Sequence, residues 1–205
     1  NSSYVTEGAA VSFTGNTVFN DATVVDTTDA GDSSGGANVT FTGTVDGDGV
    51  DAASTLTISA GSGGNVEFQD LVGDTEALGA VVINNANNVT FNGLRAESFK
   101  QTTGAGTTTL NAGTFTDATT EAIATSGANG LDIIANAITL AGDINTSNAT
   151  ARFRNAVTLG SAVTVNSTDG DITFDSTINS DGTARALALT AGTGTITLAN
   201  TAGTA

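Results

Sequence analysis

The residues best suited to chemistry in this chain are acidic. Asp46, Asp48 and Asp51 stand in the run DGDGVD, and Asp26, Asp29 and Asp32 form a second, looser group. A pair of carboxylates flanking a glycosidic bond is what polysaccharide hydrolysis requires. A sugar cleft also presents flat aromatic rings, yet Tyr4 is the single tyrosine and Trp is absent. His and Cys are absent as well, which removes the usual nucleophilic triads and zinc sites. No enzymatic activity is expected.

The same Asp46-Gly47-Asp48-Gly49 run partly matches a calcium loop, but its glycine is misplaced and no Glu follows at the EF-hand distance. The glycine-rich nonapeptide of calcium β-rolls is missing too. Asp46, Asp48 and Asp51 are the calcium candidates, set against a simpler reading as solvated Asp-Gly turns. No cofactor is expected.

Threonine offers a different chemistry. Thr40, Thr42 and Thr44, Thr55 and Thr57, and Thr195 and Thr197 alternate with apolar residues and would point outward. A flat hydroxyl-and-methyl face could meet carbohydrate or ice, although Thr also simply suits an exposed strand face. Asn84, Asn85, Asn87 and Asn88 read as a stacked amide ladder at a corner. Sequons begin at Asn1, Asn38, Asn88, Asn145, Asn148 and Asn166, a number close to chance in so Ser/Thr-rich a chain.

These groups sit on an unusual background. The 205 residues carry 21 acidic and five basic side chains, for a net charge of −16. Phosphate neutralisation and anionic membrane binding both need clustered Lys and Arg, so nucleic acid and membrane partners are not expected. The acidity serves solubility of a long β surface. No apolar run reaches the roughly 20 residues of a membrane span. The chain opens on Asn1 without a signal-peptide core, which suggests a processed protein or a segment of a longer one. Absence of Cys leaves the redox compartment unread.

The elements that must position the candidates are short strands. Apolar pairs two residues apart recur as Val39/Phe41, Leu56/Ile58, Val66/Phe68, Val89/Phe91, Leu131/Ile133, Ile138/Leu140, Val157/Leu159, Val163/Val165, Ile172/Phe174, Leu187/Leu189 and Ile196/Leu198. Period two is the strand signature. Only 94–100 and 119–124 could make a turn of helix, because Gly or Asn interrupts nearly every other window. The core is expected to be thin and aliphatic.

The stretch 11–73 resembles 151–203: Phe41 matches Phe174, Leu56 and Ile58 match Leu187 and Leu189, and Gly73 matches Gly203. The first lap is longer at 26–37, 50–54 and Gly63-Gly64, where nothing is expected to be buried. Length changes confined to corners describe a solenoid. The expected fold is thus all-β: one parallel β-helix domain over 1–205, with about nine coils of roughly 20 to 25 residues. A β-sandwich is the alternative.

Segments such as VTFTGTVDG, LTISAGSGGNVEF, VVINNANNVTFNG, TTGAGTTTLNAGTF, LDIIANAITLAG and LALTAGTGTITL resemble the β-strand repeats of large bacterial surface proteins, the filamentous-haemagglutinin-type adhesins and autotransporter passengers. The resemblance implies a right-handed parallel β-helix, secretion to the cell surface, and a role in attachment or fibre building, with no shared catalytic residues. The expected function is a non-catalytic extracellular structural or adhesive solenoid, part of a surface fibre built by end-to-end continuation of coils. Its partners would be further coils or copies, and surface polysaccharide. The alternative is a carbohydrate- or ice-binding module with a threonine-rich face.

Overall fold

A computed structural model describes residues 1–49, 54–200 and 203. Strand β1 (Ser2–Val5) precedes a first complete coil of β2 (Val11–Phe13), β3 (Thr17–Phe19) and β4 (Thr23–Asp26). The second coil is β5 (Val39–Phe41), β6 (Val45–Gly47) and β7 (Leu56–Ser59); the third is β8 (Val66–Phe68) and β9 (Leu78–Asn85), with Val72 bridging between them; the fourth is β10 (Val89–Asn92) and the long β11 (Leu94–Gln101). In the fifth, β12 (Thr107–Asn111) leads through a small hairpin, β13 (Gly113–Thr114) and β14 (Thr120–Glu121), to the long β15 (Ile123–Ile133). The last three coils are β16 (Ala137–Ala141), β17 (Ile144–Thr146), β18 (Ala151–Phe153); β19 (Val157–Leu159), β20 (Val163–Asn166), β21 (Ile172–Phe174); and β22 (Ile178–Ser180), β23 (Leu187–Thr190), β24 (Ile196–Leu198).

Each coil has three sides, and every side stacks on its counterpart one coil away. Side one is the eight-stranded sheet β2-β5-β8-β10-β12-β16-β19-β22, which counts eight coils. Side three runs β1-β4-β7-β9-β11-β15, then β18, β21 and β24. Side two pairs β3 with β6, passes through Val72, then joins the first halves of β11 and β15 to β17, β20 and β23. Among the described residues, every pairing between named strands is parallel except β13 with β14. The fold is therefore a parallel β-solenoid, and the sandwich is excluded. β1 is one side of a further coil before the first, so eight full coils and part of a ninth correspond to the expected nine.

The apolar pairs face inward because a strand turns alternate side chains to opposite faces. Val39, Phe41, Leu56, Ile58, Val66, Phe68, Val89 and Phe91 are all within 1% of full burial. The core is not purely aliphatic, which corrects the composition-based expectation. Phe13, Phe41, Phe68 and Phe91 stack nearly parallel with centroids 4.6 to 4.7 Å apart, and Phe153 lies 4.7 Å from Phe174. That distance is one strand spacing, so a Phe repeated at one position per coil builds a continuous offset stack. Few aromatics suffice when the fold places them in a column.

Two further expectations change. Coil length is less uniform than expected: Val89 pairs with Thr108 after 19 residues, and Thr108 with Ile138 after 30. The lengthened corners also bury something. Thr27 is fully buried, and its hydroxyl donates to Ala37 O and accepts from Ala37 N, each at 2.9 Å, which ties down the 26–37 loop. Ser54 is 1% exposed. Segments 94–100 and 119–124 are strand or turn, and the described helical content is the 3-10 turn Asp29–Gly31.

Candidate functional site

Two of the acidic candidates, Asp46 and Asp26, accept hydrogen bonds from backbone N–H groups. Asp46 is not a solvated turn residue: it lies in β6 at 8% exposure. Its Oδ1 accepts from Thr75 N at 2.8 Å and Glu76 N at 3.4 Å, pinning the corner of the next coil. Asp48 Oδ1 accepts from Ser54 Oγ at 3.1 Å. Asp51 lies outside the described residues. In the second group, Asp26 accepts from Thr28 N at 2.7 Å, Thr28 Oγ1 at 2.6 Å and Ala30 N at 3.1 Å. Burial pushes the Asp26 carboxyl upward, but these donors outweigh it and hold it below the ordinary carboxylate value. Asp29 has a left-handed φ of 49° and Asp32 is exposed, so this group shapes a turn. Among the described residues no three His, Cys, Asp or Glu are grouped to hold a metal ion.

A cluster that the sequence reading missed centres on Arg95. The β13–β14 hairpin folds back so that Arg95 Nε donates to Glu121 at 2.6 Å and Nη2 to Asp117 at 3.0 Å and to Thr119 Oγ1. The guanidinium lies 3.9 Å from the centroid of Phe115, which is 2% exposed. Asp74 anchors the tip by accepting Thr116 N and Oγ1, each at 2.7 Å. Arg95 takes part in cation–π and ionic contacts together, and its charged form is favoured: burial works against it, and the Asp117 and Glu121 hydrogen bonds win. The signal for this unit is the 30-residue coil, the longest on side one.

The outward rows differ from side to side. On side one, pairing sets Ser12 on Thr40, Thr40 on Glu67, Glu67 on Thr90, then Thr90, Thr109, Thr139 and Thr158 in unbroken succession, ending at Asn179. On side three the matching row runs Val82, Lys100, Asp132, Arg152, Thr173, Thr197. The threonine row thus runs across the coils, not along a strand: Thr40 belongs to it, Thr42 is exposed at its edge, Thr44 sits at the next corner, and Thr55, Thr57, Thr195 and Thr197 lie on or beside side three.

Asparagines border this row. Asn65 N donates to Asn38 Oδ1, Asn88 N to Asn65 Oδ1 and Thr107 N to Asn88 Oδ1, at 2.9 to 3.1 Å. On the other border Asn111 Nδ2 donates to Asn92 Oδ1 at 3.0 Å. Asn84 reaches Ser59 Oγ, Asn85 accepts from Gly61 N, and Asn87 donates to Asn65 Oδ1, so the amides bind coil to coil. Tyr4 packs edge-on to Phe13 at 5.1 Å on the first rung and forms no flat platform.

Three depressions between coils measure about 160, 240 and 230 Å³, below the few hundred Å³ of an ordinary ligand cleft. No helix among the described residues is long and apolar enough to cross a membrane. No protein-family model, no curated protein and no solved structure matches the chain. Any functional reading therefore rests on the surfaces of the solenoid itself.

Proposed function

We propose that the protein is a non-catalytic structural and adhesive β-solenoid of the cell surface, forming part of a fibre in which coils continue end to end. The supporting observation is the stacking itself: each side pairs in parallel with its counterpart one coil away, through eight successive strands on side one, so every coil offers the next the same edge. Ile196 and Leu198 occupy inward positions over Ile172 and Phe174, yet are 44% and 45% exposed. At the opposite end Tyr4, over Val25, is 43% exposed. Side chains equivalent to these are fully covered wherever another coil follows. Each end also presents a row of backbone N–H and C=O groups in parallel-strand geometry, a template for further pairing.

After β24, Gly203 N donates to Ile178 O of side one at 2.8 Å. A further coil, from the same chain or from a second copy, would bury the end residues and continue the ladder in a heterologous, non-closing manner. The net charge of −16 disfavours lateral clumping of such rods.

Electron microscopy and sedimentation of the purified 205-residue chain test this. Eight coils make a body about 40 Å long, so rods of several times that length are expected, with fewer contacts for a Leu198→Lys variant. Isolated single units at every concentration, with or without the substitution, would overturn the reading.

A further inference from the structure

We infer that the outer face of side one docks a neutral, extended polysaccharide of the β-1,4-linked glucan or chitin class. This names the target of the adhesive reading above and rests on it. Three observations carry it. First, Thr90, Thr109, Thr139 and Thr158 are consecutive partners, so their side chains repeat at one strand spacing, about 4.8 Å. Two rungs span about 10 Å, the order of the disaccharide repeat of such a chain. A polymer laid along the axis therefore meets the same hydroxyl and methyl groups at each repeat.

Second, these hydroxyls are unused. Threonines at corners hydrogen-bond within the chain, as Thr27, Thr28 and Thr146 do. Those of Thr90, Thr109, Thr139 and Thr158 have no partner inside the protein among the described residues, although all four side chains are half-buried. Their hydroxyls are left to an external donor or acceptor. The bordering amides of Asn88, Asn92 and Asn111 add fixed polar groups on both flanks.

Third, charge selects the partner. The chain carries −16, yet Glu67 is the one charged residue in the row from Ser12 to Asn179. The surrounding field repels uronic acids and sulfated glycans, while the face offers neutral hydroxyl and amide contacts to a neutral polyol. Without Trp or a flat Tyr, each sugar gains little. Binding must come from many rungs engaging one insoluble surface at once, which an end-to-end fibre multiplies.

The test is co-sedimentation of the purified chain with microcrystalline cellulose and with chitin. The double variant Thr109→Glu/Thr139→Glu places two charges in the row; Thr57→Glu/Thr173→Glu places two on side three as the control. Circular dichroism checks folding, and Thr109→Val/Thr139→Val, which removes the hydroxyls while keeping the shape, replaces the Glu variant if that one unfolds. The unmodified chain and the control are expected to pellet with one polymer, with the row variants weakened about tenfold or more. Four outcomes overturn the inference: no pelleting with either polymer, equal loss in row and control variants, preference for an anionic polymer such as polygalacturonate, or thermal hysteresis in ice growth. Fibres that persist in electron micrographs while cellulose and chitin binding fail would remove the target and leave the structural reading standing.

Discussion

Sides one and three of the solenoid are nearly alike within and unlike without. Inward, both carry paired apolar residues such as Val66/Phe68 and Ile172/Phe174, buried to within 1% of completeness. Outward, side one presents hydroxyls and amides with one carboxylate, whereas side three presents Lys100, Asp132 and Arg152 in successive rungs. Arg154 binds Asp132 at 2.7 Å and Arg152 binds Asp175 at 2.8 Å, so ion pairs staple the coils there. The inner faces hold the fold together and are interchangeable. The outer faces are free to differ, and that freedom is where recognition can be written.

Breaking the inner face should have the largest effect. Phe68 sits within a stack, 4.7 Å from Phe41 and 4.6 Å from Phe91. Phe68→Ala removes a ring from the middle of the column, and a loss of about 3–5 kcal/mol in urea denaturation is expected. Thr139→Ala, one side chain of the outer row, should change stability by about 0.5 kcal/mol or less. Comparable losses for the two would mean that inner and outer faces are not separable as described.

Corners come next. Asp46→Ala deprives Thr75 N and Glu76 N of their acceptor and should cost about 1 kcal/mol in the same measurement. Asp46→Asn keeps a carbonyl oxygen at that position and should cost less than half as much. An Asn variant as damaged as the Ala variant would show that the charge, not the acceptor, holds the corner.

How much of this was readable follows from the same contrast. Inward alternation is a local property, so the strands, the solenoid and the buried pairs could be read from spacing alone. The side to which a strand belongs is not local. The similarity of 11–73 to 151–203 equates Phe41 on side one with Phe174 on side three, and Leu56 on side three with Leu187 on side two. The match preserves inside and outside but is turned by one side of the coil, because all three sides use the same apolar pairs. Partners across coils are hidden for the same reason. Thr109 and Thr139 meet only because one 30-residue coil includes the β13–β14 hairpin. Burial of Asp46 likewise depends on a corner 29 residues further on, beyond the reach of the DGDG pattern.

On side three the ion pairs provide a smaller test. Arg154→Gln breaks the two-pronged contact with Asp132, whose side chain is 26% exposed beside a 35% exposed Arg154. Part-exposed pairs of this kind contribute about 0.2–1 kcal/mol and weaken with salt. A loss of that size at low ionic strength, fading at high salt, is expected from denaturation curves. A salt-independent loss would point to packing of the Arg154 stem as the cause.

The smallest and most local effect concerns pH at the hairpin. The Arg95 hydrogen bond, together with the Thr119 N–H and hydroxyl, lowers the Asp117 carboxyl to about 2. A carboxyl lowered in the folded state stabilises it fully above its unfolded value, 3.8, and that contribution disappears as pH falls through the folded value near 2. The groups facing Asp117 are Arg95, which stays charged throughout, Thr119 and, across Arg95, Glu121; Asp74 holds the tip from the third coil, two coils away. Protonation at Asp117 should therefore loosen 113–121 between about pH 4 and 2 while the Phe stack in the column beside it stays closed. Hydrogen exchange at Phe115 N, which donates to Thr119 O at 2.9 Å, reads this directly. Protection there should fall across that window in the unmodified chain and be reduced already at neutral pH in Asp117→Asn. Protection lost in step with β10 and β12, the strands of side one nearest the hairpin, would mean that the hairpin has no separate electrostatic clamp and melts only with the coils.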